Sequence, residues 1–291
     1  MADTSGQAEI RGIDIDKLAK GFADEETIFK KFVTVTPTSA REIRWYSKTS
    51  GFLTATAPAD IANVAFGAQP FVLEQSWTRT TSYVRKYFVE SPILSDEDIR
   101  DSDIDILATN VRDLTRAVEY KVDGRIWDIL SDNRTGVTNI NWLTCSGAWS
   151  GDGTTANPIQ DIMNAKQKIR ADGYNPENGI LALNSISHKN LLSWLINIKG
   201  SSIPAFASAK LETGVVMEIL GLRVTVSENV TSNFGLVGDA KTACTWKQFT
   251  PITAVSVVEP LIGTKIRIAE EGEAILHDGN ALCLLSGCGT V

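Results

Sequence analysis

The stretch Ser95–Asp132 constrains the chain most. It reads SDEDIRDSDIDILATNVRDLTRAVEYKVDGRIWDILSD, with apolar residues at Ile104, Leu107, Val111, Leu114, Val118, Val122 and Ile126. Steps of three or four residues keep one face of an α-helix apolar. Asp105, Arg112, Asp113, Arg116, Glu119, Lys121 and Arg125 fall between them and predict a charged opposite face. Ser95 and Ser102 are N-capping types, and Asp96, Glu97, Asp98, Asp103 and Asp105 put negative charge at the positive end of the helix dipole. A helix from Asp103 to Leu130 would run roughly 40 Å at 1.5 Å per residue. Such a spine needs a surface to lie along its apolar side.

The rest of the chain is long enough to supply one. It has 291 residues, 43% hydrophobic and 22% charged, enough for one large domain or two with a packed core. The net charge of −7 argues against a general nucleic-acid binder, which needs surplus Lys and Arg against phosphate. It leaves room for a protein that encloses nucleic acid without gripping it. No stretch reaches transmembrane length. The opening MADTSGQAEIRGIDID lacks the basic start and apolar run of a signal peptide, so cytoplasmic synthesis is expected.

Taken in order, residues 1–33 read as an arm interrupted by Gly6, Gly12 and Gly21, with short helices expected at Ile13–Lys20 and Asp24–Phe32. Such an arm would order against a neighbouring subunit. Glu42–Tyr46 and Gln75–Glu90 are strand-like. The second alternates Trp77, Arg79, Thr81, Tyr83, Arg85, Tyr87 and Val89, yet carries polar groups on both faces. Between them lies a Gly/Ala/Thr-rich segment with Phe52, Leu53, Phe66 and Phe71. This pattern predicts a projecting two-stranded loop, marginal in water without a partner surface.

After the spine, Asn157 and Pro158 mark the start of a helix Pro158–Ala171 that stops at Gly173. A buried strand Gly179–Asn184 follows, then a helix Ser187–Lys199, a loop Ser201–Gly214, and strands Met217–Leu220, Leu222–Val226 and Phe234–Gly238. This order predicts a compact α/β unit. Ile252–Val258, Gly263–Ala269 and Ala281–Leu285 read as strands, the last two expected in a sheet against the spine helix.

No catalytic constellation stands out. Phosphate-loop, dinucleotide and nucleophile-elbow motifs are missing. His188 reads as a capping or surface residue and His277 as exposed. The acidic run Asp96–Asp105 lacks the glycine hinge and spacing of a calcium loop. Cys145, Cys244, Cys283 and Cys288 form no C-x-x-C pair and read as buried free thiols. Neither a cofactor nor a metal is expected, and the chain is not expected to be an enzyme.

The order arm, extended loop, spine helix, α/β unit and returning strands resembles the major capsid proteins of tailed viruses with the Hong Kong 97-type fold. The phrases SPILSDEDIRDSDIDI, ADGYNPENGILALNSISHKNLLSWL, ILGLRVTVSENV, FGLVGDAKTACTW and AVSVVEPLIGTKIRIAEEGEAILHDGNALCLLS carry the likeness, and their collinear order gives it specificity. The resemblance implies an α+β fold divided into an N-terminal arm (1–33), an extended E-loop region (34–91), a peripheral domain (92–132 and 262–291) and an inserted axial domain (133–261).

It further implies a structural protein of the virion, assembled in the host cytoplasm. Copies would form pentamers and hexamers that close an icosahedral shell around double-stranded DNA, without sequence-specific binding and without a membrane. Arms and E-loops would drape over neighbouring subunits. Lys48, Phe52, Phe66 and Phe71 would then be interface residues, with Arg79, Arg85 and Lys86 paired to acids of the next subunit. The short arm implies either a separate scaffolding protein or a chain that starts after processing, the initial Met favouring the first; a portal would be a further partner, and the sequence does not say whether cement proteins are. Lys48 is the only candidate for the family's Lys–Asn cross-link. No Asn and Glu match it, so the bond is not expected. An encapsulin-like compartment shell and, far behind, an oligomeric α/β enzyme are the competing readings.

Overall fold

The computed structural model describes residues 6–50, 65–69, 76–95, 97, 106–132, 140–150, 156–196, 218–260 and 262–289. In chain order its elements are α1 (Gly6–Glu26), β1 (Thr34–Pro37), β2 (Glu42–Ser50), β3 (Ser76–Tyr83), β4 (Arg85–Glu90), β5 (Leu94–Ser95), α2 (Ile106–Leu130), β6 (Asn141–Thr144), α3 (Pro158–Ala171), β7 (Ile180–Leu183), α4 (Ser185–Trp194), β8 (Glu218–Ile219), β9 (Leu222–Val226), β10 (Phe234–Gly238), α5 (Ala240–Ala243), β11 (Cys244–Glu259), β12 (Gly263–Leu276) and β13 (Leu282–Ser286). They build a five-stranded sheet in the order β1-β11-β12-β4, with β5 also on β12. A six-stranded sheet runs β6-β13-β10-β7-β9-β8, and β2 and β3 form a separate ribbon.

The spine is α2. Val111, Val118, Val122, Ile126 and Leu130 are buried on it, as the periodicity predicts. Its buried stripe is wider than the apolar pattern, because Thr115, Glu119 and Asp123 are buried too. Glu119 therefore does not belong to the charged outer face. The proposed caps Ser95 and Ser102 precede the first described turn, and 98–105 lie outside the described residues.

The arm differs from expectation. One helix, α1, replaces two short ones, and it packs on α2 and β11 of its own chain. Ile15, Ala19 and Ala23, four residues apart, are buried there. Asp16 adds a polar tie, accepting the Ala254 N–H at 3.1 Å. Gly21 costs helix propensity, roughly 1 kcal/mol against Ala, and packing overrides it.

The long strand expected over Gln75–Glu90 is broken at Val84, whose N–H is donated to the Arg41 carbonyl at 2.9 Å. β3 pairs only with β2, and β4 turns into the five-stranded sheet against β12. The ribbon is thus rooted at both edges of that sheet, through β1 and through β4.

The closing strand also differs. β13 does not join β12 against α2; it lies between β6 and β10 in the six-stranded sheet. Its residues are apolar on both sides, and that sheet is covered on both faces. Ile180, Ala182, Leu236, Leu282 and Leu284 join the core beneath α2. Leu181, Leu183, Val237, Cys283 and Leu285 face a second core with α3 and α4. The helix expected at Ser187–Lys199 starts earlier, at Ser185, because Asn184 caps it by accepting the Ile186 N–H. The cap on α3 is the expected Asn157, which accepts from Gln160. The loop 201–214 lies outside the described residues.

Candidate assembly surface and buried charge cluster

Among its described residues, the β2–β3 ribbon is anchored at its root. Ile43 is buried, and Trp45 donates to Ser82 Oγ while meeting the His277 ring edge-on at 6.0 Å. Farther out the covering ends. Every residue from Trp77 to Thr81 is exposed, so β3 has no covered face there. Tyr46 and Trp77 are each 55% exposed and Tyr83 is 68% exposed. Phe66, in a turn between the two strands, is fully exposed. Large aromatic rings grouped on one exposed face make this ribbon a candidate interaction surface.

The expected interface residues fall in different places. Lys48 lies on β2 opposite Trp77, with its side chain outside the described residues. Phe52 and Phe71 are outside them altogether. Arg79 is exposed on β3 opposite Tyr46. Arg85 and Lys86 sit on β4 in the body, and each faces an acid of its own chain. Arg85 Nε is 3.2 Å from Glu273 Oε2, and Lys86 Nζ is 3.8 Å from Glu271 Oε1. Lys86 also lies 5.0 Å over the Phe88 ring. Arg85 and Lys86 thus belong to β4, whereas Arg79 lies on β3 and Phe66 in the turn between β2 and β3.

Sequence reading missed a charged cluster sealed between the segment after α1, the spine helix and β12. Lys30 Nζ lies 2.6 Å from Glu270 Oε1 and 3.4 Å from Glu119 Oε1. Both acids are fully buried. Asp123, one turn on from Glu119, accepts the Ile28 and Lys30 N–H groups at 2.7 and 3.3 Å, capping the short 3₁₀ turn Phe29–Lys31. Arg125 reaches Glu273 Oε1 through two nitrogens, at 3.0 and 2.5 Å. The cluster ties arm, spine and sheet into one unit.

Its electrostatics follow from burial. Desolvation, reinforced by the Glu270 charge and only partly opposed by Lys30, pushes Glu119 up to about 8. Desolvation also raises Asp123 to about 6, against the lowering by the backbone N–H groups it accepts. Burial alone would lower Lys30, but Glu270 and Glu119 outweigh it and hold the ammonium above its ordinary value. At neutral pH Glu119 is therefore neutral beside the Lys30 ammonium, which limits the charge held in a dry site.

One signal could have found it. Glu270 continues the inward parity of Ile266 and Ile268 on β12, and Glu119 and Asp123 directly follow the buried Val118 and Val122. The histidines carry less than sequence reading allowed. His277 is half-buried, with Nε2 3.0 Å from Thr245 Oγ1, rather than exposed. His188 is half-buried within α4. Burial lowers the pKa of both. Among the described residues no group of three or more His, Cys, Asp or Glu is placed to hold a metal ion, and no helix is long and apolar enough to cross a membrane.

Comparison with known proteins supplies the context. The model of a family described as phage capsid protein matches residues 93–280. No curated protein matches the chain. Among solved structures, the capsid of cyanophage P-SCSP1u aligns with a TM-score of 0.66 at 12% identity, covering 91% of this chain and 89% of that one. Mycobacterium phage Che8 aligns with a TM-score of 0.64 at 15% identity, covering 91% and 92%. A virus-like particle from Pyrococcus furiosus aligns with a TM-score of 0.64 at 11% identity, covering 95% and 99%. The architecture is the Hong Kong 97-type capsid fold.

Proposed function

The chain belongs to the phage capsid protein family, and on that premise we propose that it is the major subunit of an icosahedral shell, built from pentamers and hexamers around double-stranded DNA. Its role is structural rather than catalytic. The observation that carries this reading is the β2–β3 ribbon, bare on β3 and rich in exposed aromatic rings. A lone two-stranded ribbon is marginal in water. A neighbouring copy laid beneath it would supply the missing face. Arg79, Lys48 and Phe66 sit on this projection and would contact that neighbour. Arg85 and Lys86 hold the root to β12.

Charge supports the enclosure of DNA. A net charge of −7 disfavours tight phosphate binding and suits a lining past which packed DNA moves freely. Separate scaffolding, portal and cement proteins would complete the particle in the host cytoplasm. A second reading, a compartment shell enclosing protein cargo, is favoured by the likeness to the virus-like particle, which spans almost all of both chains.

Particles recovered from producing cells and treated with nuclease distinguish the two. Closed shells holding protected DNA support the viral reading. Shells holding protein and no DNA favour the compartment. A chain that yields neither shells nor five- and six-fold rings, with or without co-expressed scaffold, overturns both.

A further inference from the structure

The second core holds a pair of thiols that the assembly reading does not use. Cys145 follows β6 and Cys288 follows β13. Their Sγ atoms are 3.3 Å apart although 143 positions separate them in sequence. Both are buried, Cys145 at 8% exposure and Cys288 at 0%. The backbone holds each in place. Cys145 N–H is donated to the Ser286 carbonyl at 2.8 Å, and the Cys288 carbonyl accepts the Trp149 N–H at 3.3 Å. Gly287, at φ +92°, bends the chain so that Cys288 swings back over Cys145, a conformation L side chains rarely adopt. Asn233 fixes the bend, its carbonyl accepting the Gly287 and Cys288 N–H groups at 2.9 and 3.2 Å and its side chain the Gly289 N–H at 3.0 Å.

We propose that Cys145 and Cys288 are an oxidative modification site, forming an intrachain disulfide when the folded protein meets a small-molecule disulfide such as glutathione disulfide. The bond would tie the edge strand β6 to the strand beside it in the parallel pair β6–β13. Cys145, the less buried of the two, attacks first. Its thiolate displaces one glutathione thiolate and forms a mixed disulfide. Cys288 then attacks the Cys145 sulfur and releases the second glutathione. The two protein thiols are oxidised to one disulfide, one glutathione disulfide is reduced to two glutathione thiols, and the two protons leave on those thiols. Burial raises the Cys288 thiol well above its ordinary value, so closure is slow near neutrality and quickens with alkalinity. The inference rests on the thiol geometry and holds whichever shell the chain forms.

The test uses the full-length reduced protein, incubated with glutathione disulfide, alkylated, and mapped by mass spectrometry without reduction. A peptide linking Cys145 to Cys288 is expected. The alkylatable thiols of the unfolded chain then fall from four to two, leaving Cys244 and Cys283 free. The midpoint of thermal unfolding should rise by roughly 5–10 °C and return on adding dithiothreitol. Cys145→Ser and Cys288→Ser should each abolish the linked peptide and the rise, and Cys244→Ser should keep both. If a serine variant fails to fold, the wild-type map decides alone. Four thiols left free, a link to Cys283 instead, or a stable glutathione adduct on Cys145 would overturn the proposal.

Discussion

Two antiparallel ribbons in this molecule meet opposite fates. β11 and β12 pair over most of their length, and β2 and β3 pair over eight registered positions. The first is covered on its inner face by its own chain, with α1 on β11, α2 on β12, and β1 and β4 along its edges. The second, among its described residues, is covered at its root and bare from Trp77 to Thr81. The inner face of β12 reads Ile266, Ile268, Glu270, and each of these is fully buried. On β3 the alternation Trp77, Arg79, Thr81 stays in solvent. One ribbon finds its second layer within the fold. The other leaves large aromatic rings exposed and, among the described residues, has no second layer beyond its root, as a subunit that assembles through it would.

The comparison breaks first if the covered ribbon tolerates damage. Trp246, fully buried on β11, should cost about 3–5 kcal/mol when changed to Ala, measured by urea unfolding. Lys30→Met should cost a similar amount, about 3–5 kcal/mol at neutral pH, because it leaves Glu119 and Glu270 facing each other without a cation.

A smaller effect sharpens the electrostatic part. Glu119 keeps its proton to about pH 8 in the folded protein and releases it near its ordinary value of 4.5 when unfolded. The folded state binds more protons in that window, so stability falls as pH rises from 4.5 to 8, by a few kcal/mol at most. Asp123 acts in the same direction between 3.8 and about 6. The two histidines, lowered by burial, act oppositely, below pH 6.5. The interval from 6.5 to 8 therefore isolates Glu119, and Glu119→Gln should flatten the stability profile there. A variant that falls as steeply as wild type would refute the assignment.

Gly272→Ala comes next, at about 1–3 kcal/mol, because a Cβ on that strand would run into the Trp246 ring. The smallest effect on subunit stability belongs to the bare ribbon. Trp77→Ser should change urea unfolding by no more than about 0.5 kcal/mol and yet abolish or cripple particle formation. Equal damage to stability from Trp77 and Trp246 would erase the distinction between the two ribbons.

Much of this was legible in sequence. The stripe from Val111 to Leu130 gave the spine, the Asn157–Pro158 start and Gly173 stop bounded α3, and the order of elements pointed to the fold. Other features depended on contacts between distant residues. Leu282–Ser286 is apolar on both sides, a pattern that fits any doubly covered sheet, and the pairing with Asn141–Thr144 was not encoded locally. Helix propensity spoke against a continuous α1 across Gly12 and Gly21; burial of Ile15, Ala19 and Ala23 against α2 and β11 decided otherwise. Glu119 reads as part of the charged outer face, and nothing local marks Asp123 or Glu270 as buried, because their compensating partners, Lys30 and the N–H groups of Ile28 and Lys30, lie about ninety or more positions away.

The most direct test of the central claim is amide hydrogen exchange on assembled particles and on dissociated subunits, followed through Glu42–Ser50, Ser76–Tyr83 and Cys244–Leu276. The account predicts that β2 and β3 gain protection on assembly, while β11 and β12 are equally protected in both states. Ribbon amides that exchange at the same rate in particle and subunit would contradict it.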